Sequence, residues 1–116
     1  CWAHVRRDFV KLARAERGAL GWAVGWIKRI KRLYRLNRER IAAKDRPEAF
    51  SEAQNALRKA VKEIELQCGE ELGRPYNWKT TNRRKVLESM QRHWKGLTVL
   101  LRSSDIPMDN NAAERL

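Results

Sequence analysis

The chain has 116 residues, enough for one domain with a modest core. Its 42% hydrophobic and 34% charged residues describe a folded chain and exclude a disordered one. The net charge of +12, from 26 basic and 14 acidic side chains, points to a polyanionic partner. The longest apolar runs, such as 97–101, are far too short to span a bilayer, so no membrane partner is expected. With Arg6, Arg7 and Asp8 so near the start, no signal peptide is expected. A first residue of Cys rather than Met leads us to expect a piece of a longer chain. Two cysteines, Cys1 and Cys68, make no disulfide framework and suit a reducing compartment.

In chain order, Val5, Phe9 and Leu12 fall at i, i+4 and i+7, one stripe of a short helix ending near Gly18. A second helix is expected from about Ala19 to Ala43, with Ala23, Ile27, Ile30, Tyr34, Asn37 and Ile41 as its apolar stripe. Its opposite side carries Lys28, Lys31, Arg32, Arg35 and Arg38. Residues 1–44 hold 13 basic and 3 acidic side chains, a net of +10, whereas residues 45–73 are net −3 and residues 74–116 net +5. Like charges three and four residues apart repel by a few tenths of a kcal/mol per pair, and a polyanion laid along them reverses that sign. Trp22 and Trp26, spaced i, i+4 beside the basic row, either stack on bases or anchor the core, and the core is the expectation.

Asp45-Arg46-Pro47-Glu48 reads as a capping box with Asp45 as N-cap, opening a third helix with Phe50, Ala53, Leu57, Val61, Ile64 and Cys68 on one face. Gly69 to Lys79 reads as a loop. A fourth helix capped by Thr81 or Asn82 carries Val86, Met90, Trp94, Leu97 and Leu101. Ser103 to Asp109, broken by Pro107, is a turn, and Asn110 or Asn111 caps a fifth helix that the chain only begins. No stretch alternates with period two long enough for a strand, although Cys1-Trp2 fits the end of one. The expectation is an all-α bundle of about four helices in a single unit, 1–116.

Chemical motifs are sparse. Cys1-x-x-His4 is half of a zinc spacing, but Cys68 and His93 are isolated, so the second close ligand pair is missing and zinc is not expected. His93 and Cys68 read as packing residues. Asn111-Ala112-Ala113-Glu114 fits a capping box, with Glu114 reaching back to Asn111. Yet a carboxylate in a first helical turn, beside Asp109, Asn110 and Asn111, also suits a hard cation.

Two stretches shift that balance. "CWAHVRRDF" at 1–9 and "DIPMDNNAAERL" at 105–116, with the approach "WKGLTVLLRSS", resemble the transposases of the insertion sequence 66 family of bacterial mobile elements. The resemblance implies a DDE transposase with an RNase H-like core, in which residues 1–3 end a core strand, 4–104 form a helical insertion, and 105–116 are the turn and start of the catalytic helix. Glu114 is then the last catalytic acid and a metal ligand, and the two catalytic Asp lie upstream of Cys1. Such enzymes move DNA ends with two divalent ions, Mg2+ being expected, about 4 Å apart. One carboxylate cannot hold them, so this piece alone is expected to be inactive. Arg6, Arg7, Lys28, Lys31, Arg32, Arg35, Arg38 and Arg115 are the candidate DNA contacts. Element ends and target DNA are the expected partners, with a homo-oligomeric parent in the bacterial cytoplasm. The alternative from the residues is a non-catalytic basic helical module that binds nucleic acid or a protein, with Glu114 a helix cap.

Overall fold

The computed structural model describes residues 1–74 and 81–109. The described residues are all-α, with helices α1 (Trp2–Ala15), α2 (Leu20–Ala42), α3 (Pro47–Leu72), α4 (Thr81–Arg92) and α5 (Trp94–Leu97). Single 3-10 turns at Arg17–Ala19 and Val99–Arg102 complete them. The connections after α1 and α2 are only a few residues long, which makes each pair an antiparallel hairpin. Helix α2 sits between α1 and α3, and α4 closes the bundle against both outer helices. The body measures 48 × 29 × 23 Å, its long axis set by the 26 residues of α3.

Helix α1 buries Trp2, Val5, Phe9 and Leu12, the expected stripe extended one turn toward the start. Trp2 and Ala3 therefore open a helix, and the expected strand end at residues 1–3 is not there. In α2 the buried face is rotated from the expected one: Ala23, Trp26, Ile30, Leu33, Leu36, Asn37 and Arg40 are inside, while Ile41 is exposed. Steps of three and four from Trp26 fit a helix as well as steps from Ala23 through Ile27. Contact with helices on both flanks, α1 and α3, selects the face.

The capping box predicted at Asp45 does not form. The N-cap of α3 is Arg46, in extended backbone and with no side-chain cap bond, and Pro47 is the first helical residue. A proline forces the residue before it out of the helical region, so the cap position falls on Arg46 and Asp45 is one residue too early. The expected stripe of α3 holds in its second half, where Leu57, Val61, Ile64 and Cys68 are buried. The single fourth helix breaks at His93, and Leu87, Met90, Leu97 and Leu100 take the core positions. Gly96 and the β-branched pair Thr98-Val99 weaken a continuous helix there.

Trp22 and Trp26 are structural. Trp26 is fully buried and stacks on Phe9, with ring centroids 5.5 Å apart and planes 9° from parallel. Trp22 packs on Phe9 at 5.6 Å and donates from Nε1 to Glu71 Oε1 at 2.8 Å. Cys68 is buried, its thiol directed at the Leu87 carbonyl, and burial followed by the Glu71 charge pushes its pKa up to about 11. A thiol held that high carries almost no thiolate, which fits a packing role.

One buried charge lies deep in the bundle. Arg40 is fully buried, and Nη1 donates to Gln54 Oε1 at 2.8 Å and to the Leu100 carbonyl at 3.0 Å, while Nη2 donates to Asn37 Oδ1 at 2.8 Å. Gln54 Nε2 donates in turn to the Leu101 carbonyl at 2.9 Å. These bonds tie α2 and α3 to the 3-10 turn at Val99–Arg102. Burial, then the charge of Arg58, lowers the pKa of Arg40 from its ordinary value.

Candidate nucleic-acid interface and the junction of the chain ends

The two stretches that carry the sequence resemblance lie about a hundred residues apart in the chain, and the fold brings them together. Trp2 is fully buried, donates from Nε1 to the Leu97 carbonyl at 2.9 Å, and meets the Trp94 ring edge-on at 5.9 Å. Asp109 accepts from the backbone N–H of Ala3 at 3.0 Å and from the Tyr34 hydroxyl at 2.6 Å. Cys1, the N-cap of α1, makes no side-chain cap bond. Ala3 is the second helical residue, so Asp109 supplies from the far end of the chain what a local Ser or Asp cap supplies elsewhere. Its negative charge at the start of α1 also matches the helix dipole. The Arg6 guanidinium covers the Tyr34 ring at 5.7 Å.

This junction is testable on its own. Asp109→Ala should cost about 1 kcal/mol, the usual value of a lost N-cap, and Asp109→Asn, which keeps the accepting oxygen, should recover most of it in urea unfolding. Burial, followed by the Asp109 bond and charge, raises the pKa of Tyr34 well above its ordinary value, with Arg6 opposing. The folded chain thus holds the phenolic proton more tightly than the unfolded chain. The resulting stability is fully present below about pH 10 and is lost as the pH rises through the folded-state pKa. Tyr34→Phe should remove that alkaline loss, and a wild-type and Tyr34→Phe pair with identical alkaline profiles would refute the assignment.

The basic candidates are placed as follows. Lys28, Lys31, Arg32, Arg35 and Arg38 are all exposed on the outer side of α2, opposite its buried face. Arg32 pairs with Glu63 at 3.4 Å and Arg35 with Glu39 at 3.8 Å, both with half-exposed side chains and therefore of small worth. Among the described residues no carboxylate pairs with Lys28, Lys31 or Arg38. Arg6 and Arg7 are exposed on α1, and Arg6 meets α2 through Tyr34. Sequence reasoning passed over Arg29, which lies 4.8 Å over the Trp26 ring, and the α1 residues Lys11 and Arg14. Their spacing from Arg7, at i+4 and i+7, was a signal sufficient to find them.

Glu114 and Arg115 lie outside the described residues, as do the expected caps Asn110 and Asn111. Among the described residues no three His, Cys, Asp or Glu side chains converge to hold a metal ion. Cys1, His4, Asp8 and His93 do line one open cavity of about 280 Å3, but without that convergence. His93 is exposed, its ring Nδ1 2.8 Å from the Ser89 carbonyl, rather than the partly buried packing residue that was expected. Asp109 spends its inner oxygen on Ala3 and Tyr34, so it is a structural cap. Among the described residues, no helix is long and apolar enough to cross a membrane.

Fold and surface together define a basic helical unit in which the start of α1 meets Leu97 and Asp109. The family described as "Transposase IS66 family" matches residues 1–116, the whole chain, and the chain belongs to that family. Transposases cut and join DNA, so a DNA-processing parent and DNA as partner follow in general terms. No curated protein and no solved structure matches the chain.

Proposed function

We propose that this chain is the helical insertion and the start of the catalytic helix of a DDE transposase with an RNase H-like core. The observation that supports it most is the meeting of Trp2 and Ala3 with Leu97 and Asp109. A unit inserted into another fold must enter and leave it at nearly one place, and close ends are what make insertion tolerable. In this reading Glu114 is the last catalytic carboxylate and a ligand of divalent metal, Mg2+ by preference. Bound metal ions supply stabilisation of the attacking and leaving oxygens in phosphodiester transfer. Among the described residues no ligand set for such ions converges; in this reading the remaining ligands belong to the parent's core, and one carboxylate alone would leave the chain inactive. The parent acts on element ends and target DNA, as a homo-oligomer in the bacterial cytoplasm.

The DNA contact belongs to the outer side of α2 and to Arg6 and Arg7 on α1, with Arg115, outside the described residues, as a further candidate. If about five phosphates are neutralised, log affinity should fall against log salt with a slope near −4 to −5 on duplex DNA. Replacing Lys28, Lys31, Arg32, Arg35 and Arg38 by Gln should flatten that slope and leave helix content unchanged, since the buried face of α2 is untouched. A chain that binds no DNA at low salt, or a slope unmoved by the five replacements, would make this face a solvated surface or a dock for a protein.

A further inference from the structure

We infer that the DNA-contacting surface extends across a second basic row on α1, Arg7, Lys11 and Arg14, and that its ligand is the backbone of duplex rather than single-stranded DNA. The inference rests on the DNA-binding reading given above.

The three residues step by four and three along α1, all are exposed, and they stand opposite the buried Val5, Phe9 and Leu12. They repeat over about 10 Å of helix, the axial rise of about three base pairs. Among the described residues none of them pairs with a carboxylate, whereas on α3 Lys62 pairs with Glu65 at 2.9 Å and on α4 Arg84 pairs with Glu88 at 2.9 Å. A row of three like charges left without counter-charges on a folded surface raises the free energy of the unbound chain. A row of phosphates relieves it. Arg6, set against Tyr34, fills the seam between this row and the α2 row, and the two rows stand on helices packed against each other.

The choice of duplex follows from the aromatics. Single-strand binders offer aromatic faces on which bases stack. Among the described residues near these rows those faces are taken: Trp26 is fully buried on Phe9 and capped by Arg29, Trp22 is held by Phe9, Glu71 and Arg83, and Arg6 lies over Tyr34. What the described residues of the two rows present outward is charge at helical spacing, which reads phosphates and not bases.

The test measures salt-dependent binding of the chain to a duplex and to an oligo-dT strand of equal length. Lys11→Gln with Arg14→Gln should reduce the duplex salt slope by about 2, about 1 for each phosphate no longer neutralised. Lys59→Gln with Lys62→Gln on α3 should leave it unchanged, and the wild-type chain should prefer the duplex. An unmoved slope in the α1 variant, with the α2 replacements still effective, overturns the α1 row and leaves the DNA reading standing. Tighter binding to oligo-dT overturns the duplex assignment. Absence of any DNA binding by the wild-type chain overturns the DNA reading itself, and this inference with it.

Discussion

Glu114→Gln in the full-length parent should abolish most strand transfer while leaving folding and binding of element ends intact. The exchange is chosen because it divides the two roles of this residue. In the capping-box reading of 111–114, Gln serves as well as Glu, so the exchange would leave that role intact. It removes the negative charge that a hard divalent cation requires. Loss of a partner one shell removed from a metal already costs about 10- to 100-fold, and loss of a direct ligand should cost more. The measurement is joining of a labelled element end to target DNA, with end binding followed in parallel. Near-normal joining by the Gln variant would return Glu114 to the role of helix cap and remove the catalytic half of the proposal. Reduced joining accompanied by reduced end binding would point instead to a folding defect, and circular dichroism of the variant separates the two.

Trp2→Ala should lower the stability of the chain by about 3–5 kcal/mol, the range for emptying a large aromatic site in a core. Trp2 is fully buried, meets Trp94 edge-on, and donates to the Leu97 carbonyl. Its loss therefore opens a cavity and leaves a buried carbonyl without its donor. Trp2→Phe separates these effects: part of the ring packing survives, the donor does not, and the expected cost is about 1–3 kcal/mol. Urea unfolding gives both values. A Trp2→Ala chain within about 1 kcal/mol of wild type would mean that the start of α1 is frayed and that the junction of the two ends is not held by packing. The consequence reaches function, because the same packing that closes the core sets where the chain enters and leaves the bundle.

Both predictions draw on residues whose importance was visible at different levels. The helices were legible: the 3- and 4-residue spacing of Val5, Phe9 and Leu12, and of Leu57, Val61, Ile64 and Cys68, is a property of one segment, and the bundle kept it. The row of cations on α2 was legible for the same reason, since residues that share a helix face are fixed by helical geometry alone. The family was legible in two short stretches, and the match over residues 1–116 agrees with it. The α1 row was equally open to the same arithmetic and was passed over. Glu114 was singled out by residue pattern alone, and its position lies outside the described residues.

By itself, then, the sequence determined the all-α class, the helix order, the family and the basic faces, because each follows from local periodicity or from a contiguous motif. Tertiary structure decided which of two acceptable faces of α2 is buried, since only contact with α1 and α3 distinguishes Trp26 and Arg40 from Ile27 and Ile41. It decided that Pro47 moves the start of α3 off Asp45, and that Arg40, which the sequence reading did not single out, is enclosed by Asn37, Gln54 and a carbonyl of the last turn. It also gave Asp109 its task. In the sequence this residue belongs to a turn, and in the fold it caps a helix at Ala3, 106 residues earlier. A cap needs an oxygen within hydrogen-bond reach of a free N–H, a condition on distance in space that no local pattern encodes.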